Sequence, residues 1–186
     1  SAPSNWPEGT LCTFDQPVTL PQAPTLTGWT FGGWYWDASC TDKLGDAGAV
    51  IEAANLTAEV NGYVTLYAKF TPNSYTVVYD GNGADGGAME DSQFVYDSYD
   101  YLPINRYTKT GYHLAGWSLN PGGAVEFLRD SRVFNLTTQC DGVVVLYAVW
   151  APNPYTVHYD GYGADGGAME DSQHTYDVYA KASANG

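Results

Sequence analysis

The sequence predicts a mostly β protein built from tandem copies of one small module. Three observations carry that prediction. The segment 75–97, YTVVYDGNGADGGAMEDSQFVYD, returns as 155–177, YTVHYDGYGADGGAMEDSQHTYD, with 19 of 23 positions identical at an offset of 80. Within it Tyr75, Val77 and Tyr79 alternate with Thr76 and Val78, the period of a half-buried strand. The 186 residues include 16 Tyr, 6 Trp and 21 Gly, a β-rich and extracellular flavour.

The repeat extends on both sides of that segment. Leu66-Tyr67-Ala68-Lys69-Phe70 recurs as Leu146-Tyr147-Ala148-Val149-Trp150, and Asn55-Leu56-Thr57 as Asn135-Leu136-Thr137. Gly28 to Trp34 recurs as Gly111 to Trp117 at an offset of 83, and Phe14-Asp15 as Tyr96-Asp97 at 82. The expected organisation is a first unit over 1–70, a complete unit over 75–150 and the opening hairpin of a third over 155–186. Thr71-Pro72-Asn73-Ser74 and Ala151-Pro152-Asn153-Pro154 are short links stiffened by proline.

Each element has a local reason. Asp80 to Asp91 is rich in Gly and Asp, a hairpin loop. Phe94-Val95-Tyr96 is the returning strand, and an aromatic strand follows around Tyr112 to Trp117. Val143 to Trp150 is a nearly continuous apolar run, as in a central strand covered on both faces. Two short, weakly periodic stretches, 47–56 and 128–137, are the helical candidates.

Charge excludes several functions. Seven Lys and Arg against 21 Asp and Glu give a net charge of −14. Such a chain has little with which to neutralise phosphates, which argues against nucleic acid and against a polybasic membrane patch. No apolar run reaches the length of a membrane-spanning helix. The chain opens Ser1-Ala2-Pro3, which reads as a processed or excised piece. Cys12, Cys40 and Cys140 cannot all pair within one chain; a Cys12–Cys40 bridge and three free thiols both remain open.

No catalytic constellation is present: G-x-S-x-G, H-E-x-x-H and C-x-x-C are all absent. No cofactor is implied, although the loops at Asp80 and Asp160 leave room for a loose Ca²⁺ site. Their spacing fails the EF-hand pattern, because its position 5 falls on Ala84 and its position 6 on Asp85. His158 and His174 replace Val78 and Phe94 of the earlier copy and are expected to face each other across the hairpin. Trp6 and Trp36 have no counterparts in the second unit, which makes them candidate ligand-contact aromatics.

The order Y-x-V-x-Y-D-G-N-G, Y-D, L-P, T-G-Y-x-x-x-G-W and L-Y-A-x-W resembles the Listeria–Bacteroides repeat family, the B-repeats of internalin-like surface proteins. The resemblance covers most of 8–177 and departs from the family at Trp29, at Phe70 and in its acidity. It implies small β-grasp (ubiquitin-like, α+β) modules strung along a bacterial cell-surface or secreted protein, as stalks, spacers or adhesive domains contacting host protein or glycan. In a β-grasp the first strand lies beside the last, in the middle of the sheet. Nothing in residues 1–12 matches Tyr75 to Gly81, so the first unit is expected to lack that strand. The third has it. Tyr155, Thr156, Val157, His158 and Tyr159 are therefore candidate donors to an acceptor strand, Leu66, Tyr67, Ala68, Lys69 and Phe70, of a neighbouring copy. Repetition of that contact would make a filament by strand exchange. An array of ordinary repeats without exchange is the alternative. No sortase-type L-P-x-T-G motif is present, so an anchor is expected elsewhere or not at all.

Overall fold

The computed structural model describes residues 2–57, 59 and 61–179. In chain order the strands are β1 (Pro17–Thr19), β2 (Trp29–Tyr35), β3 (Lys43–Gly45), β4 (Val50–Glu52), β5 (Tyr67–Pro72), β6 (Ser74–Asp80) and β7 (Ser92–Val95). There follow β8 (Tyr99–Tyr101), β9 (Tyr112–Ser118), β10 (Phe127–Leu128), β11 (Arg132–Phe134), β12 (Gly142–Pro152), β13 (Pro154–Val157) and β14 (Ser172–Thr175). The mostly β expectation holds.

The helical expectations do not. Among the described residues there is no α-helix, only a 3₁₀ turn at Ala53–Asn55. The stretch 47–56 holds β4, which pairs with β1 in the register Pro17↔Glu52, Val18↔Ile51 and Thr19↔Val50. The stretch 128–137 holds β11, which pairs with β8. Weak helical periodicity gives way here to partners already at hand, as propensity generally yields to tertiary context.

Strand pairing follows the repeat. The largest sheet has the order β10-β9-β12-β6-β7, and a three-stranded sheet has the order β3-β2-β5. The strands β3, β2 and β5 are the earlier copies of β10, β9 and β12. The hairpin β13–β14, the later copy of β6–β7, forms a two-stranded sheet by itself. The β6–β12 pair is parallel. Asp141 N–H donates to Ser74 C=O at one end, and Trp150 Nε1–H to Gly81 C=O at the other. Antiparallel β9 and β12 are in register from Tyr147↔Ser118 to Pro152↔Tyr112, with a bulge at Val149/Trp150. Antiparallel β2 and β5 run from Tyr35↔Tyr67 to Trp29↔Pro72, with a bulge at Phe31/Gly33.

The chain forms two compact units. One comprises Ser1–Thr76, Gln93–Tyr99 and Phe134–Val143; the other comprises Val77–Ser92, Asp100–Val133 and Val144–Gly186. The first buries Leu20, Trp34, Tyr35, Tyr75 and Phe94, with the last two rings edge to face at 5.9 Å. The second buries Val77, Tyr79, Leu114, Trp117, Leu146 and Ala148. There Tyr79 meets Trp117 edge to face at 5.2 Å. Aromatic pairs of this geometry add about 1 kcal/mol beyond their buried area.

Candidate functional site

The edge of β5 is where the two copies of the module part company. Its homologue β12 has β9 on one side and β6 on the other. β5 has β2 on one side and, among the described residues, no strand on the other. A row of β5 backbone N–H and C=O groups is therefore left without a ladder, the arrangement that templates addition of another strand. The side chains register the same difference. Leu146 and Ala148 are fully buried, whereas their copies Leu66 and Ala68 are half-buried. Tyr67 is exposed. Lys69 Nζ reaches Cys40 C=O at 3.4 Å and lies 5.1 Å from the centre of the Tyr35 ring. Phe70 packs on Phe31 at 5.8 Å.

Beside this edge lies a cavity of about 850 Å³. Trp34, Leu20, residues 6–14 and Leu66, which immediately precedes β5, all line it. Trp6 is 57% exposed and sits edge to face with Trp34 at 6.3 Å. Trp34 in turn donates Nε1–H to Pro21 C=O at 3.0 Å. The other expected ligand-contact aromatic, Trp36, lies just beyond β2, half-buried, and does not line the cavity.

The candidate donor forms the opposite case. In β6 the inward residues Tyr75, Val77 and Tyr79 are 1%, 0% and 4% exposed. In β13 the copy of Tyr75, Tyr155, is 48% exposed. The hairpin keeps the contacts of its model in the chain. Tyr159 OH meets Ser172 Oγ at 2.8 Å as Tyr79 meets Ser92 at 3.2 Å. Thr156 meets Gln173 at 3.0 Å as Thr76 meets Gln93 at 2.7 Å. β13 stops at Val157 while β6 continues to Asp80, so His158 and Tyr159 lie just past the strand. β6 is held on both sides and β13 on one, which accounts for the shorter run.

The expected His158–His174 pair is not formed. The register is Tyr155↔His174 and Val157↔Ser172, three residues off the one that would oppose the histidines. His174 stacks on Tyr155 at 5.4 Å and meets Ser172 Oγ at 2.6 Å. His158 Nδ1 instead meets Asp171 Oδ1 at 2.6 Å.

The acidic loops are used locally. Asp80 Oδ1 accepts the Asn82 N–H at 2.7 Å, and Asp160 Oδ1 the Tyr162 N–H at 2.9 Å, both side-chain-capped turns. Asp85 accepts from Thr110 N–H, and bonds to Thr110 and Thr108 hold its carboxyl below the ordinary carboxylate value. Among the described residues no three His, Cys, Asp or Glu gather as a metal site. Cys12, Cys40 and Cys140 are all free thiols.

A junction that sequence reading missed occurs twice. Asn73 N–H donates to Gly28 C=O at 2.9 Å, and Tyr96 N–H to Asn73 C=O at 2.8 Å. Asn153, Gly111 and Tyr176 repeat this at 2.8 and 2.9 Å. Gly28 and Gly111, both at φ 78°, lie directly against the Tyr96 and Tyr176 rings, leaving no room for a Cβ. Trp29, a departure from the family pattern, proves equivalent to Tyr112. Trp29 Nε1–H donates to Asp97 at 3.1 Å, and Tyr112 O–H to Asp177 at 2.7 Å. The bond to Asp177 pushes the Tyr112 phenol up, while bonds from Asn135 and Trp29 hold the Asp97 carboxyl down. The recurrence of Asn and Tyr at an offset of 80, and of Gly at 83, was the available signal.

Comparison with known proteins fits this geometry. The model of the Listeria-Bacteroides repeat domain matches residues 7–69 and 75–149. A protein of Evansella cellulosilytica named as a Gly-rich membrane protein is 30% identical over 74% of this chain and 16% of its own length. A second protein of that organism, named as a membrane protein, is 32% identical over 81% of this chain and 20% of its own. Internalin H of Listeria monocytogenes is 38% identical over 54% of this chain and 16% of its own. The chain thus spans only about a sixth to a fifth of the length of these relatives. No solved structure matches. Among the described residues no helix is long and apolar enough to cross a membrane. With two matched copies covering most of its length, the chain belongs to the Listeria-Bacteroides repeat family.

Proposed function

We propose that this chain is a non-catalytic structural segment of a bacterial extracellular protein, a surface stalk or fibre. Its modules are of β-grasp type, and copies join head to tail by donating residues 155–177 to the β5 edge of a neighbour. The strand order β10-β9-β12-β6-β7, with first and last strands adjacent and parallel, supports the β-grasp assignment. The observation that carries the assembly is the complementarity of β5 and β13. Among the described residues β5 has no neighbour on the side where β12 carries β6, and the copy of β6 stands in a two-stranded sheet with its inward tyrosine half exposed. Strand addition supplies main-chain hydrogen bonds for affinity and side-chain pockets for specificity. Here the pocket is the cavity over Trp34.

The test is size exclusion with light scattering on the intact chain and on Val157→Asp. The intact chain should give a concentration-dependent ladder of assemblies. The variant, with a charge on the buried face of the donor, should be a monomer. Identical behaviour of the two would overturn the assembly. A second reading, an adhesin contacting protein or glycan, draws on the 57% exposure of Trp6. It predicts a monomer whose Trp fluorescence changes saturably on binding.

A further inference from the structure

The N-terminal arm of residues 4–14 lies outside any strand, yet its position is not arbitrary. Ser4 N–H donates to Thr25 C=O at 2.7 Å, and Thr25 N–H to Ser4 C=O at 2.9 Å. In the second copy Gly86 and Thr108 make the same reciprocal pair, at 3.3 and 2.9 Å. Ser4 and Gly86 are 82 residues apart, the offset that also relates Phe14 to Tyr96. By that offset residues 10–13 correspond to β7, Ser92–Val95. The arm is thus already pinned at one end where the approach to the outermost strand of the sheet belongs. Its counterpart β7 does not touch β12; β6 lies between them. In the first copy the cavity is lined both by residues 6–14, the arm itself, and by 63, 64 and 66, the stretch that leads into β5.

We infer that the groove of the first copy accepts one extended strand, residues 154–159 of a second copy of this chain, slotted between β5 and residues 10–13, with the arm then pairing as the outer strand. This rests on the assembly proposed above and specifies its geometry. The occupant is argued from identity: residues 155–160 differ from 75–80, the strand that fills this slot in the second copy, only at His158. That one change sits on the outward face, since Val78 alternates with the buried Val77 and Tyr79. The inserted Tyr155, Val157 and Tyr159 meet Trp34, Leu20 and Leu66, as Tyr79 meets Trp117 in the second copy. Of the donated segment 155–177 only the β13 strand enters the groove, and β14 stays outside it, because β14 and the arm require the same outer position.

Hydrogen exchange decides it. The acceptor is the full chain carrying Val157→Asp, so that it does not fill its neighbours. The probe is a synthetic peptide with the sequence of residues 154–161, and the control is that peptide with Val157→Asp. The peptide should bind one to one and slow amide exchange roughly 10-fold or more at both 66–70 and 10–13. The control should protect neither. Protection of 66–70 alone, with 10–13 still open, would overturn insertion between the two. So would protection, in a monomer without peptide, of the outward amides of 66–70 that do not bond to β2, which means the slot is filled from within one chain. If the peptide protects both segments while the intact chain stays monomeric, the slot stands and the assembly fails. If the intact chain assembles and 10–13 still exchange freely, the assembly stands and the single-strand slot fails.

Discussion

At Gly28 and Gly111 a ring of the following hairpin lies where a side chain would begin, and φ is 78° at both. An alanine there meets a strained backbone and a tyrosine ring together, and the two penalties add to roughly 2 kcal/mol or more. Gly111→Ala should therefore lower stability against urea and free the β13–β14 hairpin, read as faster exchange at Tyr155. The Asp97 carboxyl is held down first by Asn135 and then by Trp29. A carboxyl with a depressed folded pKa stabilises the fold above its unfolded value, and that stabilisation is lost as pH falls through the folded one. Stability should thus decline below the ordinary value of 3.8. Asp97→Asn should flatten that decline, as measured by thermal melts across pH 2–5, a window set by ordinary and depressed carboxylate values. These contacts were only half legible. The repeat exposed the glycines and tyrosines as equivalent, but Trp29 looked like a departure because an indole and a phenol share no shape. They share a donor, and that became visible only with Asp97 in place.

Among the elements, the strands most readable from sequence were those with a period of two and a repeat to confirm them: β6, β9 and β12. The proposed helices failed because β1 with β4, and β8 with β11, are short pairs of strands whose partners lie far off in sequence. The His158–His174 pairing failed because register in a hairpin depends on loop geometry, which composition alone does not fix. The difference between the two copies yields a direct comparison. Leu146 is fully buried, so Leu146→Ala should destabilise by about 2–5 kcal/mol. Leu66→Ala, at the open edge, should be milder in the monomer, both read from urea unfolding. Phe70 stands where Trp150 donates to Gly81 C=O at 2.9 Å. Phe70→Trp would supply that donor to Gly161 of an incoming strand. A net hydrogen bond of about 1 kcal/mol should tighten assembly roughly fivefold, seen as a lower critical concentration in light scattering.

For the whole molecule, the net charge of −14 acts against any contact between copies. The Debye length falls to about 8 Å near physiological salt, so assembly should strengthen as salt rises from low to physiological levels. The repeat, the mostly β class and the family were all readable in the sequence. The open edge of β5 was readable only through the family resemblance, since the neighbour relation of first and last strands is a property of the folded sheet. The arm shares little sequence with residues 86–95, and its place is fixed by Phe14-Asp15 against Tyr96-Asp97 together with its backbone pairing. The most direct measurement is complementation. One variant, Val157→Asp, is blocked as donor; another, Ala68→Asp, is blocked as acceptor. Each alone should be a monomer by light scattering, and an equimolar mixture should yield a one-to-one dimer and nothing larger. A mixture that stays monomeric while the intact chain assembles, or single variants that assemble as the intact chain does, would contradict head-to-tail strand donation.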